Sequence, residues 1–207
     1  MTNTLLSLFD ETGVWSNPYR RRGWNVVQID LALGADVMDI TMQWLDSIGP
    51  IKGIISAPPC TDFTRAGAWN WKWKDKHGLT KNSIGLVKRV LSIVEYVKPE
   101  FWALENPPGR IMRLVPELEA VPLFWFQPWW YAGYSSNPHS ENYSKKTGLW
   151  GHFNQNLPRY ELTRLEKVNG NWTKQRVQTF TEKFNSRRSD RSRTPEGFSE
   201  AFYRANN

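Results

Sequence analysis

Four short apolar runs, each ending in a polar or reactive group, constrain the fold of this chain more than any other feature. Leu5-Leu6-Ser7-Leu8-Phe9 runs into Asp10-Glu11-Thr12-Gly13, and Val26-Val27-Gln28-Ile29 into Asp30. Gly53-Ile54-Ile55-Ser56 stops at Pro58-Pro59-Cys60, and Phe101-Trp102-Ala103-Leu104 delivers Glu105-Asn106. Runs this short and continuous read as buried strands. Helical signals lie between them. Ser16-Asn17-Pro18 starts a helix that Gly23 ends, and Ile40 to Leu45 spaces as a short helix. Ile84, Leu86, Val87, Val90, Leu91, Val94 and Val97 follow helical periodicity as far as Pro99. Strand alternating with helix is the unit of a parallel sheet, so the fold class is α/β.

The remaining segments are less regular. Residues 61–81 are polar, aromatic and basic and read as a long loop; 123–131 reads as strand-like, and Leu149-Trp150 as part of a further strand. Leu162 to Val168 and Asn171 to Val177 flank Asn169-Gly170, the strongest two-residue hairpin signal. Ser186 to Arg193 reads as a charged linker. Thr194 is placed to cap a last helix through Ala205, with Pro195 in its first turn. The expectation is one domain over 1–207, with 152–192 a small hairpin-and-linker appendage.

Composition narrows the chemistry. A single cysteine allows no intramolecular disulfide and no cysteine-based zinc site, and the three histidines are scattered, so no metal is expected. No apolar stretch approaches a membrane-spanning length, and the N-terminal residues lack the pattern of a secretory signal, which makes the cytoplasm the default location. The net charge of +7 favours a polyanionic partner, although a soluble basic protein needs none. Twelve tryptophans are many for 207 residues. Three of them alternate with lysines in Trp69-Asn70-Trp71-Lys72-Trp73-Lys74-Asp75-Lys76. Indole rings can stack on bases while ammonium groups meet phosphates. A strand with tryptophans inward and lysines outward produces the same pattern. Arg187 and Arg188, with Arg191 and Arg193, form a second basic run, either a solvated linker or a nonspecific contact to phosphates.

Ligands of open α/β sheets bind beyond the carboxyl ends of the strands, where all four polar groups fall. Asp30 can accept hydrogen bonds from both hydroxyls of a ribose, and Gly13 allows close backbone approach; an ordinary capping acid in a strand–turn–helix is the plainer alternative. Cys60 follows two prolines at a strand end and opens a polar loop, an unusual place for a core-filling cysteine. A thiolate there could add to a pyrimidine ring, and Glu105 could drain charge from the ring nitrogen as it does so. An inert cysteine and an ion-paired glutamate remain the alternative.

With these motifs in place, residues 1–151 and 191–206 resemble the cytosine-C5 DNA methyltransferase family, most of all its short, phage-type members. Leu8-Phe9-Asp10-Glu11-Thr12-Gly13 resembles the family's cofactor loop, Asp30 its ribose-binding acid, and Asp39-Ile40 the pair at the adenine ring. Pro59-Cys60 with Phe63 and Thr64 resembles the nucleophile motif, and Glu105-Asn106-Pro107 the motif that grips a flipped cytosine. The resemblance implies a Rossmann-like, S-adenosylmethionine-dependent fold and DNA as partner. It implies Cys60, Glu105 and Asn106 as catalytic, and Phe9, Asp10, Thr12, Gly13, Asp30, Asp39, Ile40 and Pro59 around S-adenosylmethionine. It also implies Trp69, Trp71, Lys72, Trp73, Lys74, Lys76, Lys145, Lys146, Arg187 and Arg188 toward DNA. The sequence departs from the family in three places. Glu11 replaces a glycine of the cofactor loop; Lys145-Lys146-Thr147 is the nearest counterpart of the basic motif; Arg193-Thr194-Pro195-Glu196-Gly197-Phe198 stands where the family has Gly-Asn-x-Val. Gly151 to Ser192 is also far shorter than a target-recognition domain.

The resemblance points to DNA cytosine-C5 methylation through a covalent Cys60 adduct. Two other classes fit the same fold: a DNA-binding or anti-restriction protein without catalysis, and an enzyme that modifies a different pyrimidine substrate or uses a different donor.

Overall fold

A computed structural model describes residues 2–162, 165–168, 171–174, 178–179 and 193–207. Its centre is a six-stranded sheet. The first four strands are β1 (Thr4–Leu8), β2 (Asn25–Ile29), β3 (Ile51–Ser56) and β4 (Phe101–Asn106). They lie side by side in the order β2-β1-β3-β4, all parallel. Two further strands, β5 (Leu123–Phe126) and β7 (Thr147–His152), complete the sheet, with β7 antiparallel to both β4 and β5. Their shared direction brings the carboxyl ends of the four parallel strands, with Phe9, Asp30, Cys60 and Glu105, to one edge.

Alternation along the strands builds two cores. On β1, Leu6 and Leu8 belong to one apolar cluster and Leu5 to the other; on β3, Ile54 and Ile55 part in the same way. Successive side chains of a strand point to opposite faces, so helices must cover both. One face carries α4 (Leu79–Val97), whose buried Val87, Val90 and Ile93 recur every three residues. The other carries α1 (Asn17–Arg20) and the last helix, α7 (Glu196–Ala205), through Tyr19, Phe198 and Phe202. The Tyr19 hydroxyl donates to the Asn206 carbonyl at 2.7 Å and fastens the C-terminal residues to α1.

Several local expectations are corrected. The short helix α2 is Met42–Ser47, because Thr41 caps it by accepting from the Trp44 amide at 3.1 Å; Ile40 precedes it and is buried. Residues 61–81 form no long loop. A 3-10 turn over Arg65–Asn70 leads into α3 (Trp71–Lys76), and α4 already begins at Leu79. Strand character ends at Phe126, and Pro128–Trp130 turns into a 3-10 helix. Pro195, rather than Thr194, is the N-cap of α7. The amides of Glu196 and Gly197 donate to the Glu141 carboxylate at 2.5 and 2.7 Å, so a distant acid replaces the local hydroxyl cap.

Shorter elements fill the rest: α5 (Ile111–Leu114), α6 (Pro138–Glu141) and β6 (Tyr143–Ser144). Beyond β7, β8 (Leu165–Val168) and β9 (Asn171–Lys174) pair antiparallel, with Val168 opposite Asn171. β10 (Gln178–Thr179) pairs with β6. Asn169-Gly170, and Arg187, Arg188 and Arg191, lie outside the described residues. No helix among the described residues is long and apolar enough to cross a membrane.

Candidate active site

The half of the carboxyl edge at β1 and β2, the candidate cofactor side, is built from tight turns held by nearby side chains. Phe9 leaves β1 with φ 57°, and Gly13 follows at φ 65°, a left-handed geometry that glycine adopts freely. Asp10 is buried. Its carboxylate accepts from the Ser7 hydroxyl at 2.9 Å and the Ser16 amide at 3.1 Å. Burial pushes its pKa up against those bonds. Asp10 therefore shapes the loop from within. Thr12 is exposed and its hydroxyl accepts weakly from the Val14 amide at 3.4 Å. Asp30 accepts from the Ala32 amide at 2.8 Å, and Asp36 from the Met38 amide at 2.9 Å. Asp39 is exposed at the end of that second turn, while Ile40 turns into the core.

These residues fit a nucleoside-type cofactor. One oxygen of Asp30 is engaged by Ala32, which leaves the second as an acceptor. Leu31 beside it is 73% exposed and Met38 51%, apolar surface that an aromatic base could cover. At the ends of β3 and β4, Ser56 Oγ and Asn106 Oδ1 are buried without a hydrogen-bond partner.

The half at β3 and β4, the candidate chemistry side, is tied together across long stretches of sequence. Pro59 is exposed and Cys60 half-buried at the turn after β3, where the Cys60 carbonyl accepts from the amides of Phe63 and Thr64 at 3.0 and 2.9 Å. Asn106, at the end of neighbouring β4, is buried and donates its amide to the Pro58 carbonyl at 3.1 Å. The Cys60 turn is thus braced from the strand that carries Glu105. The Glu105 carboxyl sits in buried surroundings, which push its pKa above the usual glutamate value; the charge of Lys145 opposes this in part. Lys145 and Lys146 lead into β7, which pairs with β4 so that Glu105 faces Leu149. The Lys146 ammonium rests over the Trp125 ring, 4.4 Å from its centroid.

A buried arginine, Arg110, closes the loop after β4 onto the loop after β3. Its amide donates to the Phe63 carbonyl at 2.9 Å and its Nε to the Asp62 carbonyl at 2.8 Å. Its guanidinium grips Asp75 of α3 with two bonds of 2.7 and 2.8 Å and lies over the Trp71 ring. The bond from Arg110, with one from Thr80, holds the Asp75 carboxyl down at about 2. The approach leaves no room for a side chain at Gly109, whose Cβ would meet the Phe63 carbonyl oxygen at 1.9 Å. Asp62 is buried and pairs with Lys74, and it accepts from the Ser83 hydroxyl at 2.5 Å. Burial opposes its ionisation, but the bonds from Lys74 and Ser83 and the charges of Lys74 and Arg110 outweigh it and lower the pKa.

This arrangement revises the tryptophan–lysine reading. On a helix, alternate residues do not share a face. Trp71 lies under Arg110, and Lys74 turns inward to Asp62 and the Thr61 carbonyl. Trp69, Lys72, Trp73 and Lys76 are exposed. Asp62, Asp75 and Arg110 carry the site's framework and left no signal in the sequence, because the bonds that join them to Lys74 and to one another span 12 to 48 residues.

The fold is similar to that of a solved methyltransferase structure. A methyltransferase structure from Entamoeba histolytica, EhMeth, superposes with a TM-score of 0.50 at 11% identity, covering 80% of this chain and 58% of that one. The sequence carries the likeness further: it is similar to a probable DNA (cytosine-5)-methyltransferase of frog virus 3 (isolate Goorha), 27% identical over 143 residues, which are 63% of this chain and 61% of the relative. The match spans about three fifths of that relative's length. No protein-family model matches.

Proposed function

We propose that this protein methylates carbon 5 of cytosine in DNA, with S-adenosylmethionine as donor and Cys60 as covalent nucleophile. The observation that carries this reading is the brace between neighbouring strands, the Asn106 amide bonded to the Pro58 carbonyl, which holds the Cys60 turn beside the strand that bears Glu105. The cytosine-5 methyltransferase relative supports the same chemistry.

The Cys60 thiolate adds to carbon 6 of an extruded cytosine, and the carbon 5–carbon 6 double bond becomes the electron source. Glu105, whose surroundings favour its protonated form, donates a proton toward ring nitrogen N3 and stabilises the charge that addition would leave there. Asn106 holds the turn and takes no part in bond making. When bound, S-adenosylmethionine supplies the methyl group to carbon 5 from its sulfonium. A base then removes the carbon-5 proton, the double bond re-forms and Cys60 leaves as thiolate. Asp30 would hold the ribose, Phe9 and Gly13 would shape the turn beside it, Asp39 would border the adenine with Ile40 packed behind it in the core, and Thr12 and Pro59 would flank the pocket. Lys72 and Lys76, with Lys145 and Lys146, meet phosphates, as do Arg187 and Arg188. Residues 152–192 serve as a reduced appendage to a single catalytic domain.

Incubation with methyl-labelled S-adenosylmethionine and DNA, then hydrolysis to nucleosides, tests the reading. Label in 5-methylcytosine is expected; label in another nucleoside, or in none, overturns it.

A further inference from the structure

We propose that the exposed aromatic row beside the Cys60 turn is a stacking platform for unpaired bases, so that the preferred substrate is DNA whose bases next to the target are single-stranded. This rests on the reading of the protein as a DNA cytosine methyltransferase and narrows its substrate.

Trp69 is 85% exposed and Trp73 52%, whereas Trp15, Trp102 and Trp150 are buried. Two indoles in water within one turn and one short helix form an apolar surface that nothing among the described residues covers. The surface is preformed. The Trp73 and His77 rings stack with centroids 4.3 Å apart and planes 28° from parallel. His77 Nδ1–H donates to the Trp73 carbonyl at 2.7 Å, which fixes the imidazole against the indole.

The surface is also fastened to the chemistry. Lys74, one residue from Trp73, binds the Thr61 carbonyl and Asp62, the two residues after Cys60. Gly67 packs so closely on the Thr61 carbonyl that a Cβ would come within 2.7 Å of its oxygen. On the other side Arg110 grips Asp75 and covers Trp71. A base resting on Trp69 or Trp73 would be held in register with the nucleophile.

Charge selects the occupant. Lys72 and Lys76 are exposed one helical turn apart, next to the row of Trp73 and His77, and the one acid of α3, Asp75, is neutralised by Arg110. An aromatic row beside a cationic row suits a polyanion that offers flat faces. Duplex DNA offers phosphates, but its base faces are covered by their neighbours; only unpaired or extruded bases can stack on indole.

The test measures binding of the full-length protein, without cofactor, to labelled oligonucleotides of one sequence: single-stranded DNA, duplex DNA, and single-stranded RNA. Single-stranded DNA should bind on the order of tenfold or more tightly than duplex. W69A and W73A should each weaken single-strand binding roughly five- to hundred-fold with the salt slope unchanged. Both side chains are exposed, so thermal melting should show the variants folded. Equal affinity for single strand and duplex, with both variants behaving as wild type, overturns the platform. Tighter binding of RNA overturns the assignment to DNA. Sedimentation in which W69A or W73A disperses a self-associated protein without changing DNA affinity shows a contact between copies and also overturns it. Methylation of the same oligonucleotides separates the two claims. Wild-type activity on duplex that does not need Trp69 or Trp73 removes the platform and keeps the enzyme; a single-strand preference lost in W69A, with no methylated nucleoside formed, supports the platform and removes the enzyme.

Discussion

The two halves of the carboxyl edge are held in different ways. On the cofactor side the key contacts are local: Asp30 caps the Ala32 amide, Asp36 the Met38 amide and Thr41 the Trp44 amide, each within three residues. Arg89 of α4 adds a distant bond to the Ile40 carbonyl. On the chemistry side the span is long: Asn106 to Pro58 and Arg110 to Asp62 each bridge 48 residues, Arg110 to Asp75 bridges 35, and Ser83 to Asp62 bridges 21. Turns that cap themselves can stay open to a ligand that comes and goes. A nucleophile that must meet a ring atom within a fraction of an ångström needs its turn fixed to the rest of the fold.

If that contrast is real, Arg110→Ala should have the largest effect of any substitution outside the reacting groups. It leaves the Asp62 carbonyl without its Nε donor, leaves the Asp75 carboxylate to the Thr80 hydroxyl, and opens space over the Trp71 ring. Asp75 is half exposed and stays solvated, so the loss comes from the orphaned Asp62 carbonyl and the space left over Trp71, and the melting temperature should fall by several degrees. Calorimetry that finds a shift within a degree or two would show that the clasp is ornamental.

The pH profile sharpens the contrast at Glu105. Its pKa is raised in the folded protein, so the carboxyl keeps its proton above the usual glutamate value. The proposed donation to N3 is then complete at low pH, and the rate should fall about tenfold per pH unit once the pH exceeds that raised value. Stability should decline earlier, as the pH rises from the ordinary glutamate value to the raised one, and level off above it, since the unfolded chain ionises the group first. Glu105→Gln should flatten the descending limb. A limb that persists in this variant assigns the titration to another group.

Smaller effects belong to the cofactor side. Asp30→Ala should weaken S-adenosylmethionine binding on the order of tenfold, because charged hydrogen bonds are worth about 1–3 kcal/mol. Unchanged affinity by titration calorimetry would put the ribose elsewhere. Asp36→Ala removes only an exposed cap, at about 0.5–1 kcal/mol, and should leave the melting temperature nearly in place. A loss as large as that of Arg110→Ala would erase the difference between the two halves.

The same contrast explains what could be read from the sequence. Strands β1 to β4 and helices α1 and α4 were legible because apolar runs and periodicity are local signals. So was the role of Gly13 in its turn. Cys60 and Glu105 were legible as candidates because each ends a strand. Helix α3 was missed: aromatic residues and lysines alternate there as they would in a strand, and the contacts that favour helix come from Arg110 and Asp62, distant in sequence. Trp71 and Lys74 were taken for surface residues for the same reason. Glu141 was invisible as the cap of α7, since 55 residues separate it from the Glu196 amide.

The central claim is that Cys60 attacks cytosine, and covalent trapping tests it most directly. The full chain is incubated with S-adenosylmethionine and DNA that carries 5-fluorocytosine, then analysed by mass spectrometry under denaturing conditions. Fluorine cannot leave carbon 5 as a proton does, so the protein should remain joined to the DNA through Cys60, with one methyl group added, and Cys60→Ser should form no adduct. An adduct that persists in Cys60→Ser, or wild-type protein that methylates ordinary DNA yet is never trapped, would contradict the claim.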